Sequence, residues 1–345
     1  MRAPVFWSQP RPNWLAHLLR PLGMLYGMVT ANRMDRTGEN ASLPVICIGN
    51  FSVGGTGKTP TAIAIAQALK AQGHKPVFLT RGYAGRLPGP LLVDASVHTA
   101  DDIGDEPLLL ARHAPVVIAR DRAAGARLIA QLNASENTAG QTHDMADVIV
   151  MDDGLQNPAL RKTFALAVVD GAVGFGNGLC LPAGPLRAPL ARQFRHVQGL
   201  LLVGEGKAGE YAAQLAEQAG KPVFRASLAP DPAIAASLRG ERVLAFAGIG
   251  RPEKFFDTLG ALGAEVVATR PFADHAPLTS EDIASLLATA SQQGLQLVTT
   301  EKDAARLAHQ PEAAQLRAQT IVLPVTLSIM QEGSALHKQL AKLMD

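Results

Sequence analysis

Cysteine is scarce in this chain of 345 residues: there are two, Cys47 and Cys180, each inside an apolar run. That excludes a disulfide framework and leaves no zinc spacing, so both read as small buried hydrophobes in a reducing cytoplasm. Net charge is also scarce, +2 at pH 7, which excludes the electrostatic footprint of a nucleic-acid binder. Long apolar runs are missing, since none reaches the roughly 18 residues of a membrane span. The best candidate, Trp14 to Val29, is interrupted by His17, Arg20 and Pro21, and its proline-rich lead-in makes it a poor signal peptide. Internal repeats and low-complexity tracts are lacking. What is present, 47% hydrophobic and 18% charged residues, suffices for sizeable cores and argues against wholesale disorder.

The little charge there is sits unevenly. Residues 1–42 carry Arg2, Arg11, Arg20, Arg33 and Arg36 against Asp35 and Glu39, a local +3 that leaves −1 for the rest. Any attraction to an anionic surface therefore belongs to the N-terminus. Beyond it, apolar β-rich runs at 43–50, 75–80, 114–119, 146–153, 164–170 and 199–203 alternate with helical patterns. Such runs predict an α/β fold with a parallel sheet covered by helices on both faces. A shorter α/β series begins at Arg242. The expected organisation is an N-terminal amphipathic helix segment over 1–36, a larger domain over 37–226, a linker region over 227–241 and a smaller C-terminal α/β domain over 242–345. The polar stretch 133–144 is expected to be an exposed loop.

The chemistry starts at "GNFSVGGTGKTP", Gly49 to Pro60. A strand, a glycine-rich turn and a helix in that order point backbone N–H groups at phosphates, with the helix N-terminus adding positive potential. Ser52 stands where the strict phosphate-loop pattern asks for glycine, and only that outermost position departs. Lys58 would reach the β- and γ-phosphates and the Thr59 hydroxyl would ligate Mg²⁺. Pro60 falls in the first helical turn, where its missing N–H costs little. Mg²⁺ also needs a carboxylate at the end of a neighbouring strand, and "VIVMDDGLQ" supplies Asp152 and Asp153 there. "IGDEP" adds Asp105 and Glu106, which by themselves read as readily as a solvated helix cap.

Two rival nucleotide classes fit less well. Val53 stands where partition-type ATPases carry lysine, and "TTEKDA" at 299–304 has the wrong order for a guanine-reading motif. A kinase acting on a bound acceptor is the better reading, and a nucleotide-dependent switch or assembly protein is the alternative. In the N-terminal segment Trp14, Leu18, Leu22, Leu25 and Val29 recur at helical spacing, with Leu15, Leu19 and Tyr26 beside them and a kink or restart expected at Pro21. Such a stripe suits a core helix and a membrane-surface helix equally.

Taken in order, "GNFSVGGTGKTP", "TRGYAG", "GDEP", "ARDR", "DDGLQN", "VDGAVGFGNG", "LPAGPLRAPL", "FADHAPLT" and "TTEKDA" resemble the tetraacyldisaccharide 4'-kinase family, over nearly the whole chain. The resemblance implies ATP- and Mg²⁺-dependent phosphorylation of the 4'-hydroxyl of a tetraacyldisaccharide 1-phosphate, the lipid A precursor. It further implies peripheral attachment to the cytoplasmic face of a Gram-negative inner membrane; the low net charge speaks against nucleic acid, and no obligate protein partner is evident in the sequence. Carried over by position, ATP is held by Ser52, Val53, Gly54, Gly55, Thr56, Gly57, Lys58 and Thr59. Asp105 resembles the acceptor-activating acid and His275 its partner. Lys58 and Asp153 join them in catalysis, while Thr59, Glu106 and Asp152 serve the metal. Which of Asp152 and Asp153 touches the ion stays open. Arg81, Arg120 and Arg122 are candidate phosphate clamps, with surface salt bridges as their alternative, and Gln156, close to the "DDGLQ" acids, joins them as a substrate-binding candidate. Two positions depart from the family: Ala188 replaces the glutamate after "GPLR", and Asn157 replaces the histidine after "DDGLQ". They leave room for an altered acceptor preference.

Overall fold

The computed structural model describes residues 4–138, 145–274, 276–308, 310–330 and 334–344. The apolar runs form strands whose side chains alternate between two cores. Val45 and Cys47 point into one hydrophobic cluster and Ile46 and Ile48 into the other, which is why every residue of β1 (Val45–Gly49) is buried. Among the described residues, β1 joins β2 (Pro76–Thr80), β3 (Leu91–Leu92), β4 (Val116–Ile118), β5 (Val148–Asp152), β6 (Phe164–Asp170), β7 (Gly199–Val203), β8 (Val223–Pro230) and β13 (Val325–Ile329) in one nine-stranded sheet. Its order is β13-β8-β7-β6-β1-β5-β2-β4-β3. The inner pairings are parallel, and the edge strands β3 and β13 run antiparallel. Helices cover both faces, as the continuous apolar strands predict.

The second sheet is parallel and four-stranded, ordered β10-β9-β11-β12 from β9 (Arg242–Ala247), β10 (Glu265–Pro271), β11 (Gln296–Thr300) and β12 (Thr320–Leu323). It has its own cores, one centred on Phe246, Leu286 and Leu297. The chain does not stay in this smaller unit to its end, as the expected span 242–345 has it. After β12 it returns to pair β13 with β8, and helix Ser334–Met344 puts Leu336 and Leu340 into the core that also holds Ile65 and Leu69. The expected linker 227–241 likewise begins inside β8.

Two further expectations are corrected. Residues 133–138 are the end of helix Arg122–Thr138 and not loop, because Asn133 exchanges two hydrogen bonds with Ala146 (2.7 and 3.1 Å) and ties the helix to the approach to β5. The remainder of that stretch, 139–144, lies outside the described residues. Pro21 does not restart the N-terminal helix: α1 runs unbroken over Trp14–Met34, capped by Asn13, whose side chain accepts from Ala16 N at 2.9 Å.

α1 docks the opposite way to a core helix. Its buried face is Ala16, Gly23, Gly27, Ala31 and Met34, while Trp14 (76% exposed), Leu18 (67%), Leu22, Leu25 and Val29 face outward. The small residues allow the close approach, since a Cβ on Gly23 would fall 2.6 Å from Cys180 O and one on Gly27 2.7 Å from Cys180 Sγ. Cys47 is fully buried and Cys180 half-buried beneath α1.

Candidate active site

The parallel strands end on one rim, where open α/β sheets bind ligands. From β1 the chain enters residues 50–57 and then α2 (Lys58–Ala71). Gly54 and Gly57 take φ of +116° and +88°, backbone that side-chain-bearing residues rarely adopt. Asn50, fully buried, braces the turn by donating from Nδ2 to Thr56 Oγ1 (3.3 Å) and to Gly54 O (3.4 Å). A second strap holds the other side: Val53 N donates to Pro185 O and Arg187 N to Phe51 O, at 2.9 and 2.8 Å. Segment 185–187 therefore lies along the start of the phosphate loop, and α1 rests on the residues just before it.

β5 lies next to β1 and carries the acidic pair to the same rim. Thr59 Oγ1 donates to Asp152 Oδ2 at 3.1 Å, and Lys58 Nζ stands 3.7 Å from Asp153 Oδ2. Arg187 Nη2 reaches that same Asp153 oxygen at 3.3 Å. Asp153 adopts φ +52°, a left-handed conformation uncommon for aspartate and frequent at functional sites. The environments separate the two acids. Burial, reinforced by Asp153 and Glu106, pushes the Asp152 carboxyl up to about 6 against the pull of Lys58. Burial alone would also raise Asp153, but Lys58, Arg187 and Arg122 hold it below the ordinary carboxylate range. Asp152 Oδ1, Asp153 Oδ1 and Arg187 Nε are buried without a hydrogen-bond partner. Such orphaned atoms beside a phosphate loop fit a cation and a polyanion that satisfy them. Among the described residues no three His, Cys, Asp or Glu side chains gather as a ready cage.

The other expected residues are placed as follows. Asp105 and Glu106 begin helix Asp105–Ala111 and are met by the second domain: Arg306 donates from Nε (3.0 Å) and Nη2 (2.8 Å) to Asp105 Oδ2, and Lys302 Nζ lies 2.6 Å from Glu106 Oε1. Burial, opposed by Lys302 and reinforced by Asp105, raises the Glu106 carboxyl. Arg122 is buried, its guanidinium lowered to about 10 by burial against the attraction of Asp153, and it donates to Ala119 O. Arg81 is exposed at the end of β2 and acts on Arg122 as a like charge. Arg120 donates to Gly85 O at 3.1 Å and so braces loop 82–87. Gln156 donates to Asn50 O (2.7 Å) and Gln193 Oε1 (2.9 Å), a support beneath the phosphate loop. His275 lies outside the described residues. Ala188 is fully buried, and Asn157 caps Ala159 N at 2.8 Å.

Four contributions escaped the sequence reading. Arg187 was visible only as a letter in "GPLR", and Asn50 only as the end of a strand. Lys302 and Arg306 stand in or just after "TTEKDA", which reads as a failed guanine motif and as one of the stretches shared with the family, with no role given to either residue. The second domain also grips the rim elsewhere: Arg251 pairs with buried Asp170 at the end of β6, and Lys254 Nζ lies 3.3 Å from it. Between these contacts, a Cβ on Gly250 would stand 3.8 Å from Gly55 N, so loop 248–251 overlies the phosphate loop.

An anion-binding turn flanked by converging cations and metal-ready carboxylates, with a second domain closing over it, defines a phosphate-loop phosphotransferase. More narrowly, the chain belongs to the tetraacyldisaccharide-1-P 4'-kinase (LpxK) family, whose model matches residues 15–345. It is 55% identical over 341 residues to the tetraacyldisaccharide 4'-kinase of Methylorubrum extorquens strain PA1, covering 99% of this chain and 98% of that one. With the enzyme of the same name from Bradyrhizobium sp. strain ORS 278 it shares 51% over 336 residues, covering 96% and 95%. A crystal structure of LpxK from Aquifex aeolicus in complex with ATP matches with a TM-score of 0.70 over 96% of this chain and 100% of that one; at 24% identity the likeness shows the shared fold. These relatives support the kinase reading over a nucleotide switch.

Proposed function

We propose that this protein transfers the γ-phosphoryl group of ATP to the 4'-hydroxyl of a tetraacyldisaccharide 1-phosphate, giving the 1,4'-bisphosphate and ADP. The observation that carries the reading is the convergence of Lys58, Arg187 and the unsatisfied oxygens of Asp152 and Asp153 on one rim, in a chain of this family. The amides of residues 52–59 cradle the phosphates, and Lys58 and Arg187 spread the charge of the transferring group. Thr59 and Asp152, with Glu106 nearby, would hold Mg²⁺, whose charge would supply further neutralisation of the phosphates. Asp105 takes the proton of the sugar hydroxyl as its oxygen bonds to phosphorus and the bond to the ADP oxygen breaks. His275 is assigned as its partner on the motif alone. Arg122 and Arg81 are assigned to phosphate on their charge, Arg122 being close enough to Asp153 to lower its proton affinity; Arg120 and Gln156, whose described bonds are to the protein itself, act as supports of the site.

The location belongs to the same proposal. The outward apolar face of α1, with Trp14, Tyr26 and flanking arginines, supports a helix lying in the cytoplasmic surface of the inner membrane. No described helix is long and apolar enough to cross a membrane. Because α1 rests on the strap that leads to Arg187, it would deliver an acylated acceptor beside the phosphate loop.

The test is transfer of label from γ-labelled ATP to tetraacyldisaccharide 1-phosphate in detergent micelles, with Asp105→Ala as control. Labelled bisphosphate that depends on Asp105 supports both reaction and acid. Release of free phosphate that ignores the lipid overturns the reading.

A further inference from the structure

Arg306 is held more firmly than a stray interdomain ion pair requires. Its Nη1 donates to Asp303 Oδ1 (2.9 Å) and to Gly248 O (2.8 Å), both within the second domain. Asp303 is itself fixed, since Gly248 N (2.9 Å) and Thr300 Oγ1 (2.6 Å) donate to it, and it is fully buried. With one end of the guanidinium pinned this way, the other two donors, Nε and Nη2, converge on a single oxygen of Asp105 across the domain seam. Asp105 and Arg306 are 3% and 6% exposed. The pair is nevertheless reachable: a cleft of about 50 Å³, lined by Ala84, Gly104, Asp105, Pro277, Arg306 and Gln310, opens beside it. The pin also begins the loop that covers the phosphate loop, because Gly248 both accepts from Arg306 and leads to Gly250.

We infer that Arg306 is a positioning residue for the phosphoryl transfer: held by Asp303 and Gly248, it fixes the Asp105 carboxylate in the orientation that meets the acceptor hydroxyl, and does so only when the second domain is seated over the phosphate loop. The inference rests on the proposed role of Asp105. A planar guanidinium is the side chain for the task, because it has enough N–H donors in fixed directions to bind Asp303, a carbonyl and Asp105 together. Lysine has the charge but not the geometry. A merely structural stitch between domains would serve stability and leave turnover alone.

The test compares wild type, Arg306→Lys and Gly248→Ala, each also in an Asp105→Ala background, by kcat, by KM for ATP and for acceptor, and by thermal midpoint. A Cβ on Gly248 falls 2.8 Å from Arg306 Nη1 and 3.1 Å from Asp303 Oδ1, so this variant displaces the pin while keeping every charge. Arg306→Lys should lower kcat roughly thirty- to a hundredfold, and Gly248→Ala roughly fivefold or more, with both KM values within about threefold. In the Asp105→Ala background neither change should lower kcat further by more than about threefold, because the group it positions is gone. If Arg306→Lys does not fold, Gly248→Ala carries the comparison. Turnover near wild type in the folded variants, or losses that multiply with that of Asp105→Ala, overturns the positioning role and leaves the kinase reading intact. Full activity of Asp105→Ala alone overturns the assignment of Asp105, and the positioning role with it.

Discussion

At the scale of the residue, adjacent carboxylates with opposite proton affinities give the site its pH signature. In the nucleotide-free protein Asp152 keeps its proton to about pH 6, while the unfolded chain releases it near 3.8. Folding therefore takes up a proton in that window, and the stability Asp152 confers falls as pH rises from about 4 to about 6, on the order of 3 kcal/mol in total. Asp153 has the opposite sign: its lowered proton affinity stabilises above the ordinary carboxylate range, and that contribution is lost as pH falls below it. Urea unfolding in chelator from pH 4 to 7 should show the decline in wild type and a flatter profile in Asp152→Asn. If Asp152 holds Mg²⁺ as proposed, it must ionise to do so, and calorimetry of preformed Mg·ATP binding near pH 5.5 in buffers of different ionisation enthalpy should detect a proton release that Asp152→Asn reduces. Arg187, poised at 3.3 Å from Asp153, is expected to act in the transition state. Arg187→Ala should cost roughly a hundredfold in kcat with a smaller change in KM for ATP, and Arg187→Lys should recover only part of it.

The element that carries the most unusual arrangement is α1. A core helix buries its large side chains; this one buries alanine and glycine and leaves tryptophan, leucine and valine outside. Removing two of those outer leucines, as Leu22→Glu with Leu25→Glu, should change folding stability by no more than about 0.5 kcal/mol. Each leucine withdrawn from a membrane surface should weaken association with anionic vesicles by roughly tenfold, which co-sedimentation measures. Gly27→Leu should do the reverse. Its side chain collides with Cys180, so α1 must lift, and the loss of about 1–3 kcal/mol in unfolding free energy should be accompanied by weaker acceptor use. The strap over 185–187 makes that link physical, because it bonds to the phosphate loop at Phe51 and Val53.

For the whole molecule, closure is electrostatic. The smaller domain reaches the rim through Arg251 and Lys254 on Asp170 at one place, and through Lys302 and Arg306 on Glu106 and Asp105 at another. Both patches place cations of one domain on buried or half-buried acids of the other, with the phosphate loop between them. Asp170→Asn removes one anchor and leaves Arg251 and Lys254, both partly exposed, to be solvated. It should therefore cost little stability, about 1 kcal/mol, yet lower kcat for transfer roughly tenfold by loosening closure. Small-angle scattering should then show a wider distribution of shapes in the nucleotide-free variant than in wild type.

Much of this was legible in the sequence because it is local. Buried parallel strands announce themselves as continuous apolar runs, and a glycine-rich turn ending in Gly57-Lys58-Thr59 needs only its flanking strand and helix to be recognised. The acids of "MDDG" follow from standing at the end of such a run. Other features depend on where distant segments meet. Whether the stripe on α1 faced core or surface was undecidable from spacing, which is identical for both; contact with residues 180–189 settled it by demanding glycine on the docking face. β8 and β13 lack a strong apolar run, and their pairing at the sheet edge comes from the chain returning to the first domain. Arg187 and Lys302 stand in stretches shared with the family and Arg306 just after one, but nothing in those letters assigns them a partner, and their bearing on Asp153, Glu106 and Asp105 comes only with the fold. The sequence by itself determined the strand order of chemistry along the chain, the phosphate loop and its acids. The tertiary structure alone decided which cations meet those acids, because an ion pair across 201 residues is a matter of packing and not of spacing.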